Sequence, residues 1–117
     1  FDKTLEFIDK YKDDGIIWYF DNCELSMEDL VRTLWKFKDN GWFQYSNGVI
    51  FGRSGSHNSN FGLTMEEAVK RVLGELQVPI ILDADFGHVA PRMTIINGGY
   101  AIITSKDGKG TIKFELK

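Results

Sequence analysis

The fold is decided by residues 79–91, which read PIILDADFGHVAP. The run begins with apolar residues of the kind that form a buried strand, and it ends in a turn where Gly87 permits backbone angles closed to other residues. His88 follows at once, and Pro91 stiffens the exit from the turn. A buried strand with one imidazole at its C-terminal tip is a common support for a catalytic base. A structural histidine in an ordinary turn is the other interpretation, and the residue types alone leave both open.

Length and composition predict one folded domain and exclude several classes of function. A chain of 117 residues with 43% apolar side chains can bury a core without disulfides. The net charge of −3 and the lack of a long basic run argue against nucleic acid as a partner. No apolar stretch approaches the roughly 20 residues that span a bilayer, so we expect no membrane partner.

The start of the sequence and its cysteine usage bear on where the protein works. Cys23 is the single cysteine, which excludes an internal disulfide and is compatible with a reducing cytoplasm. The sequence begins at Phe1 without a methionine and without a signal-peptide pattern. We therefore expect a piece of a longer protein, from which a signal or a partner domain is missing.

Periodicity predicts a chain in which helices come early and strands cluster late. Apolar residues at helical spacing indicate helices, and β-branched and aromatic runs indicate strands. Asp107-Gly108 indicates a hairpin turn, and Asn47-Gly48 indicates a turn before the strand at 49–51. The expected helices cover residues 1–13, 26–40 and 64–76, with Ser26 and Thr64 as the N-terminal caps of the last two. The expected strands cover 16–20, 49–51, 79–82, 93–96, 100–105 and 111–116. The fold class is therefore mixed α/β, with two to three helices and a curved, largely antiparallel sheet.

Polar side chains follow two of the predicted buried strands. Asp21 and Glu24 come just after strand 16–20, and His88 comes just after the strand of the deciding stretch. Open α/β folds place their sites at such strand ends. If the two strands are neighbours, the carboxylate of Asp21 can accept the imidazole N–H of His88, as in a Ser-His-acid triad. Glu24 is the second candidate for the acid, and a helix cap is the alternative role of Asp21.

The nucleophile of such a triad is not found in this chain. There is no Gly-x-Ser-x-Gly elbow, and Ser54, Ser56 and Ser59 lie in a polar loop with no strand before them. The serine is therefore expected elsewhere in the protein.

No cofactor and no metal are predicted. The glycine-containing loop 52–56 lacks the spacing and the lysine of a phosphate-binding loop. No two of the side chains that could bind a metal share a standard ligand spacing; they are Cys23, His57, Asp83, Asp85 and His88.

Five stretches, in order, resemble motifs of one enzyme family, the LD-carboxypeptidases. The most specific is DFGHVAP at residues 85–91, which resembles the family's (G/D)-F-G-H-x-x-P signature. The others are IWYFDNCE at 17–24, DLVRTL at 29–34 followed by GWF at 41–43, GVIFGR at 48–53 and MTIING at 93–98. The resemblance extends from Ile16 to Leu116. The family trims D-alanine from murein tetrapeptides and includes the microcin C immunity peptidases.

The resemblance implies a fold and a division of labour between two domains. Residues 1–117 are similar to the family's C-terminal domain, of swivelling β/β/α type. The N-terminal flavodoxin-like domain, which bears the nucleophilic serine, is absent from this sequence. His88 matches the family's general base, and Asp21 matches its triad acid, which is normally glutamate. Asn97 stands where the family has proline.

The same resemblance implies an activity and a setting. The full-length protein is expected to be a cytoplasmic, homodimeric serine carboxypeptidase of peptidoglycan recycling, which needs no metal and releases D-alanine from a murein tetrapeptide. The 117-residue chain alone is expected to be inactive. One alternative is a microcin-type immunity peptidase that cleaves a peptidyl-nucleotide, with Trp18 and Trp42 as candidates to stack on the base. The other is a non-catalytic binding module on the same fold.

Overall fold

The structure, a computed structural model, describes residues 2–21, 25–53, 59–86 and 95–115. Three α-helices and five strands lie in these ranges. In chain order they are α1 (Asp2–Lys10), β1 (Ile16–Phe20), α2 (Met27–Asp39), β2 (Ser46–Gly52), α3 (Met65–Leu73), β3 (Ile80–Ala84), β4 (Tyr100–Lys106) and β5 (Lys109–Glu115). A short 3₁₀ turn, Gly74–Leu76, extends α3. No helix of these ranges has both the length and the apolar character that crossing a membrane requires.

The central sheet contains β1, β2 and β3, in that order, and its strands are parallel. Trp18 of β1 pairs with Val49 of β2, which pairs in turn with Ile80 of β3. The mixed α/β class is confirmed, but the expectation of a largely antiparallel sheet is wrong for this part of the molecule. A helix follows β1 and another follows β2, and each returns the chain to the end from which the next strand starts in the same direction.

Both crossover helices begin where the sequence predicts a cap. The hydroxyl of Ser26 accepts the backbone N–H of Asp29 at 3.2 Å, and the hydroxyl of Thr64 accepts that of Glu67 at 3.2 Å. These bonds satisfy donors that a helix start leaves without an intrahelical partner. Gly41, with φ of 82°, supplies the left-handed residue after α2.

The core lies between the central sheet and the two crossover helices. β2 is the middle strand and is buried from Gly48 to Gly52. The side chains that pack there with less than 2% exposure include Met27, Leu34, Val49, Phe51, Val69, Val72 and Leu73. The expected turn at Asn47-Gly48 is wrong, because both residues lie within β2. Gly48 pairs with Ile17 there, and a Cβ on it would meet the Pro79 carbonyl at 3.4 Å.

The hairpin of β4 and β5 is antiparallel, as predicted. Its two-residue loop is Asp107-Gly108, with φ of 53° and 75°, which is the left-handed pair that a type I′ turn requires. The Tyr100 hydroxyl donates to the Asp14 carboxylate at 3.2 Å and so links the hairpin to the segment before β1. The predicted strand 93–96 lies partly outside the described residues, and Ile95 and Ile96 are not in a strand.

Candidate active site

The carboxyl ends of the three parallel strands meet at one edge of the central sheet, which we call the carboxyl edge. Each end is followed by a charged residue: Asp21 follows β1, Arg53 follows β2, and Asp85 follows β3. The arrangement follows from the parallel order, because parallel strands all end on the same side of their sheet. Sites of open α/β folds lie outside this edge.

The ends of β2 and β3 are joined by a hydrogen bond and an ion pair. The backbone N–H of Arg53 donates to the Ala84 carbonyl at 3.0 Å, and its guanidinium lies 3.2 Å from the carboxylate of Asp85. The Asp85 side chain is 60% exposed, so this pair adds little stability. The backbone bond therefore does more than the ion pair to hold the chain that leaves β3 against the end of β2.

A β-bulge turns the end of β3. Ile50 pairs with Ile81, but Gly52 pairs with Ala84, so β3 has one more residue than β2 between these two pairs. Asp83 takes a left-handed conformation with φ of 58°, which aspartate tolerates better than most side chains. Bulges are frequent beside active sites, where they redirect the chain.

After the bulge the chain passes over the end of β2 and reaches β1. The backbone N–H of Phe86 donates to the Ala84 carbonyl at 2.9 Å, which closes a tight turn. The Phe86 ring is 4% exposed and meets the ring of Tyr19 on β1 edge-on, with 5.7 Å between centroids. Gly52 allows this passage, because a Cβ there would lie 2.5 Å from the Phe86 carbonyl oxygen. Phe86 therefore connects β3 to β1 at the carboxyl edge.

Of the three candidate triad side chains in this chain, His88, Asp21 and Glu24, the structure describes Asp21. Asp21 is exposed and is the first residue beyond β1, at the carboxyl edge. His88 and Glu24 lie outside the described residues, as do Cys23 and His57. Within the ranges that the structure describes, no three His, Cys, Asp or Glu side chains are grouped so that they could hold a metal ion.

Trp18 and Trp42, the candidates to stack on a nucleobase, stack on each other. Their ring centroids are 5.2 Å apart and their ring planes are 8° from parallel. The Trp18 indole N–H donates to the Trp42 carbonyl at 3.1 Å. The Phe37 ring stacks on the Trp42 ring, with 4.1 Å between centroids and 5° between ring planes. The ring faces that would meet a base are thus used for packing between the sheet and α2.

Sequence reasoning missed one polar group near the carboxyl edge, Glu28 in the first turn of α2. Its Oε1 accepts the Ser59 hydroxyl and the backbone N–H groups of Asn60 and Phe61, at 3.1 and 3.3 Å for the latter two. The bond from Ser59 is the main cause that lowers the pKa of Glu28 below its ordinary range. The two residues are 31 positions apart, and no local pattern signals such a contact.

A cleft of about 710 Å³ runs along β1 between α1 and the hairpin. Phe7, Tyr19 and Phe114 are among its largely apolar lining. Two of its polar residues already have partners, because Asn47 donates to the Asp14 carbonyl at 3.2 Å and the Asp14 carboxylate accepts from the Tyr100 hydroxyl of the hairpin. The cleft therefore offers a mainly apolar surface.

Comparison with known proteins places this geometry in a family. The sequence matches the family described as the LD-carboxypeptidase C-terminal domain over residues 3–103. Muramoyltetrapeptide carboxypeptidase from Oxalobacter formigenes has a similar structure, with a TM-score of 0.74 and 21% identity over 86% of this chain. The chain spans 36% of the length of that enzyme.

Two structures of the microcin C7 self immunity protein MccF are also similar. One is in complex with aspartyl sulfamoyl adenosine, and the other is a variant in complex with adenosine monophosphate. Each has a TM-score of 0.61 and 21% identity, over 68% of this chain and 24% of that one. No curated protein sequence matches the chain. The family match covers most of the chain, which therefore belongs to the LD-carboxypeptidase family as its C-terminal domain.

Proposed function

We propose that this domain supplies the histidine and the acid of a Ser-His-acid triad in a serine carboxypeptidase that releases D-alanine from murein tetrapeptides. His88 is the general base, Asp21 is the acid, and the serine lies in an N-terminal domain. The observation that carries the proposal is the path of the chain after β3, where Phe86 crosses the end of β2 and contacts Tyr19 of β1. Family membership supports the class of enzyme.

The distances at the carboxyl edge are compatible with this assignment. β1 and β3 flank β2, so their axes are about 10 Å apart, which is too far for side chains on the strands themselves to bond. Phe86 already contacts β1, and two further residues of chain extend up to about 7 Å. This span is compatible with the proposed contact between His88 and Asp21, the first residue after β1.

The proposed chemistry is that of a Ser-His-acid triad. The serine hydroxyl oxygen attacks the carbonyl carbon of the scissile amide while His88 takes its proton. His88 then gives that proton to the amide nitrogen, the carbon–nitrogen bond breaks, and D-alanine leaves. Water, activated by His88 in the same way, hydrolyses the acyl-enzyme. Asp21 accepts the other imidazole N–H, holds the ring in the required tautomer and stabilises the imidazolium.

The two histidines of the chain provide a matched test of the base. In the full-length protein, we expect His88→Ala to lower the kcat for D-alanine release by at least about 10³-fold, whereas His57→Ala leaves it within a factor of two. Thermal unfolding of both variants checks that each is folded. A His88→Ala protein that is folded and fully active contradicts the triad and favours the binding-module alternative.

The acid is assigned by a second pair of variants. Asp21→Asn removes the charge that stabilises the imidazolium, so we expect a loss of kcat near 10⁴-fold, with a much smaller loss for Glu24→Gln. A larger loss of kcat in Glu24→Gln than in Asp21→Asn would assign the role of acid to Glu24. The 117-residue chain alone contains no nucleophile of this mechanism, so a time course with the tetrapeptide is expected to release no D-alanine from it.

The structural similarity to MccF keeps a second substrate class under test. In that case the same triad would cut an amide in a peptidyl-nucleotide. The stack of Trp18 on Trp42 argues against a base-stacking role for either ring, so this domain offers no base platform at those positions. Parallel assays of the full-length protein with the murein tetrapeptide and with aspartyl sulfamoyl adenosine distinguish the two, since the proposal predicts turnover of the tetrapeptide alone.

A further inference from the structure

The loop of residues 59–63 is tied to the start of α2 by an interlocked set of hydrogen bonds. Glu28 accepts three of them, from the Ser59 hydroxyl and from the backbone N–H groups of Asn60 and Phe61. The Ser59 hydroxyl oxygen also accepts the backbone N–H groups of Phe61 at 3.2 Å and Leu63 at 2.8 Å. The backbone of this loop is therefore held at several points.

The held loop exposes its largest side chain. Phe61 is 86% exposed, although its backbone N–H is bound twice. Leu63, two residues later, packs against the core, and Gly62 with φ of 70° makes the turn between them. A single exposed apolar residue is ordinary, but a phenylalanine on an ordered backbone is ready to bury a large apolar area without a large loss of backbone entropy.

Phe61 lies at the carboxyl edge. Both crossover helices start there, because each follows the carboxyl end of a strand, and the loop is bound to the first turn of α2 and precedes Thr64, the cap of α3. Leu25, 38% exposed, directly precedes Ser26, the cap of α2. Leu25 and Phe61 are therefore exposed apolar side chains at the carboxyl edge, where Asp21 also lies.

We propose that Phe61 anchors this domain to the serine-bearing domain of the same polypeptide, an inference that rests on the proposed function. The similar solved chains are about three to four times as long as the parts this domain matches, since it covers 36% and 24% of them, so in those proteins a larger body accompanies it. The proposed function requires a serine from that body to meet the triad, whose proposed acid, Asp21, lies at the same carboxyl edge as Phe61. Aromatic anchors of this kind carry much of the binding energy of interfaces.

Hydroxyl-radical footprinting of the unmodified full-length protein tests the anchor, with Phe7 as internal control. In the structure Phe61 is twice as exposed as Phe7, at 86% against 43%, so an unoccupied loop is oxidised faster at Phe61. Docking predicts the reverse order, with Phe61 oxidised at least about five-fold more slowly than Phe7. Both rates are normalised to those of the urea-unfolded protein.

Three outcomes overturn the proposal, and an activity assay of the same protein distinguishes them from a failure of the proposed function. Oxidation of Phe61 at nearly its rate in the urea-unfolded protein means that no domain covers it. Protection that disappears on dilution assigns the loop to a second copy of the chain, and protection that requires the tetrapeptide assigns it to substrate. Protein that is active but unprotected contradicts the anchor alone, and protein that is protected but inactive contradicts the proposed function alone.

Discussion

Replacement of Gly52 by alanine tests the path of the chain that carries His88. Gly52 ends β2, and the chain from β3 passes directly over it. A Cβ at this position would lie 2.5 Å from the Phe86 carbonyl oxygen and 2.8 and 2.9 Å from two carbons of its ring. Because the nearest atom belongs to the backbone, no side-chain rotation removes the overlap. The segment that leads to His88 must move.

The size of the movement and its effects follow from these distances. Restoring the Phe86 oxygen from 2.5 Å to an ordinary contact of 3.4 Å requires a displacement of about 0.9 Å. Overpacking of this kind lowers the free energy of unfolding by about 1–3 kcal/mol. A shift near 1 Å in a catalytic group lowers turnover by about 10²-fold, so we expect Gly52→Ala to lower kcat by that factor.

Gly74→Ala is the matched control. Gly74 follows α3 with φ of −60°, and a Cβ there meets nothing within 4 Å. It should stabilise the protein by about 0.4–1 kcal/mol through the unfolded state and leave kcat unchanged. Urea unfolding and D-alanine release of the full-length variants measure both effects. Equal stability and equal turnover of the two alanine variants would refute the close passage of Phe86 over Gly52.

Two further predictions concern charged and titrating groups. The folded-state pKa of Glu28 is lowered, chiefly by the Ser59 hydroxyl. The contribution of the ionised Glu28 to the free energy of unfolding is therefore present above the unfolded pKa and is lost as pH falls through the folded pKa. Glu28→Gln should therefore lower the melting temperature at pH 7, and the gap to wild type should close below about pH 4; a gap that does not change with pH would contradict the role of the charge. The pKa of Tyr100 is raised by its hydrogen bond to Asp14, so the contribution of this bond is present below the unfolded pKa and is lost as pH rises through the folded pKa. Spectroscopic titration of tyrosinate should show one phenol whose pKa falls in Asp14→Asn, and an unchanged titration would contradict the link between the hairpin and the segment before β1.

Local signals predict most of the elements and their ends. Ser26 and Thr64 cap α2 and α3 as expected, because a cap bond joins residues only three positions apart. The Asp107-Gly108 turn is equally local, since its left-handed angles depend on the two residues themselves. The family of the chain could likewise be identified from short motifs, of which DFGHVAP is the most specific.

The direction of the strands depends on more than local pattern. An apolar run such as Ile16–Phe20 has the same composition in a parallel and an antiparallel sheet, and the crossover helices decide between them. Asn47-Gly48 favours a turn by its sequence but lies in β2. Its pairing with β1 and the close approach of Pro79 hold it in the strand. Tertiary contacts here override the preference of the dipeptide.

By itself, the sequence determined where helices start, where the hairpin turns, and that an acid and a histidine follow strands, since each of these depends on residues a few positions apart. Only the tertiary structure decided that the strand ends share one edge, that Phe86 passes over Gly52 to meet Tyr19, and that Glu28 holds a loop from which Phe61 projects. These contacts join residues about 30 or more positions apart. They depend on how helices pack on a sheet, and no stretch of chain contains that information alone.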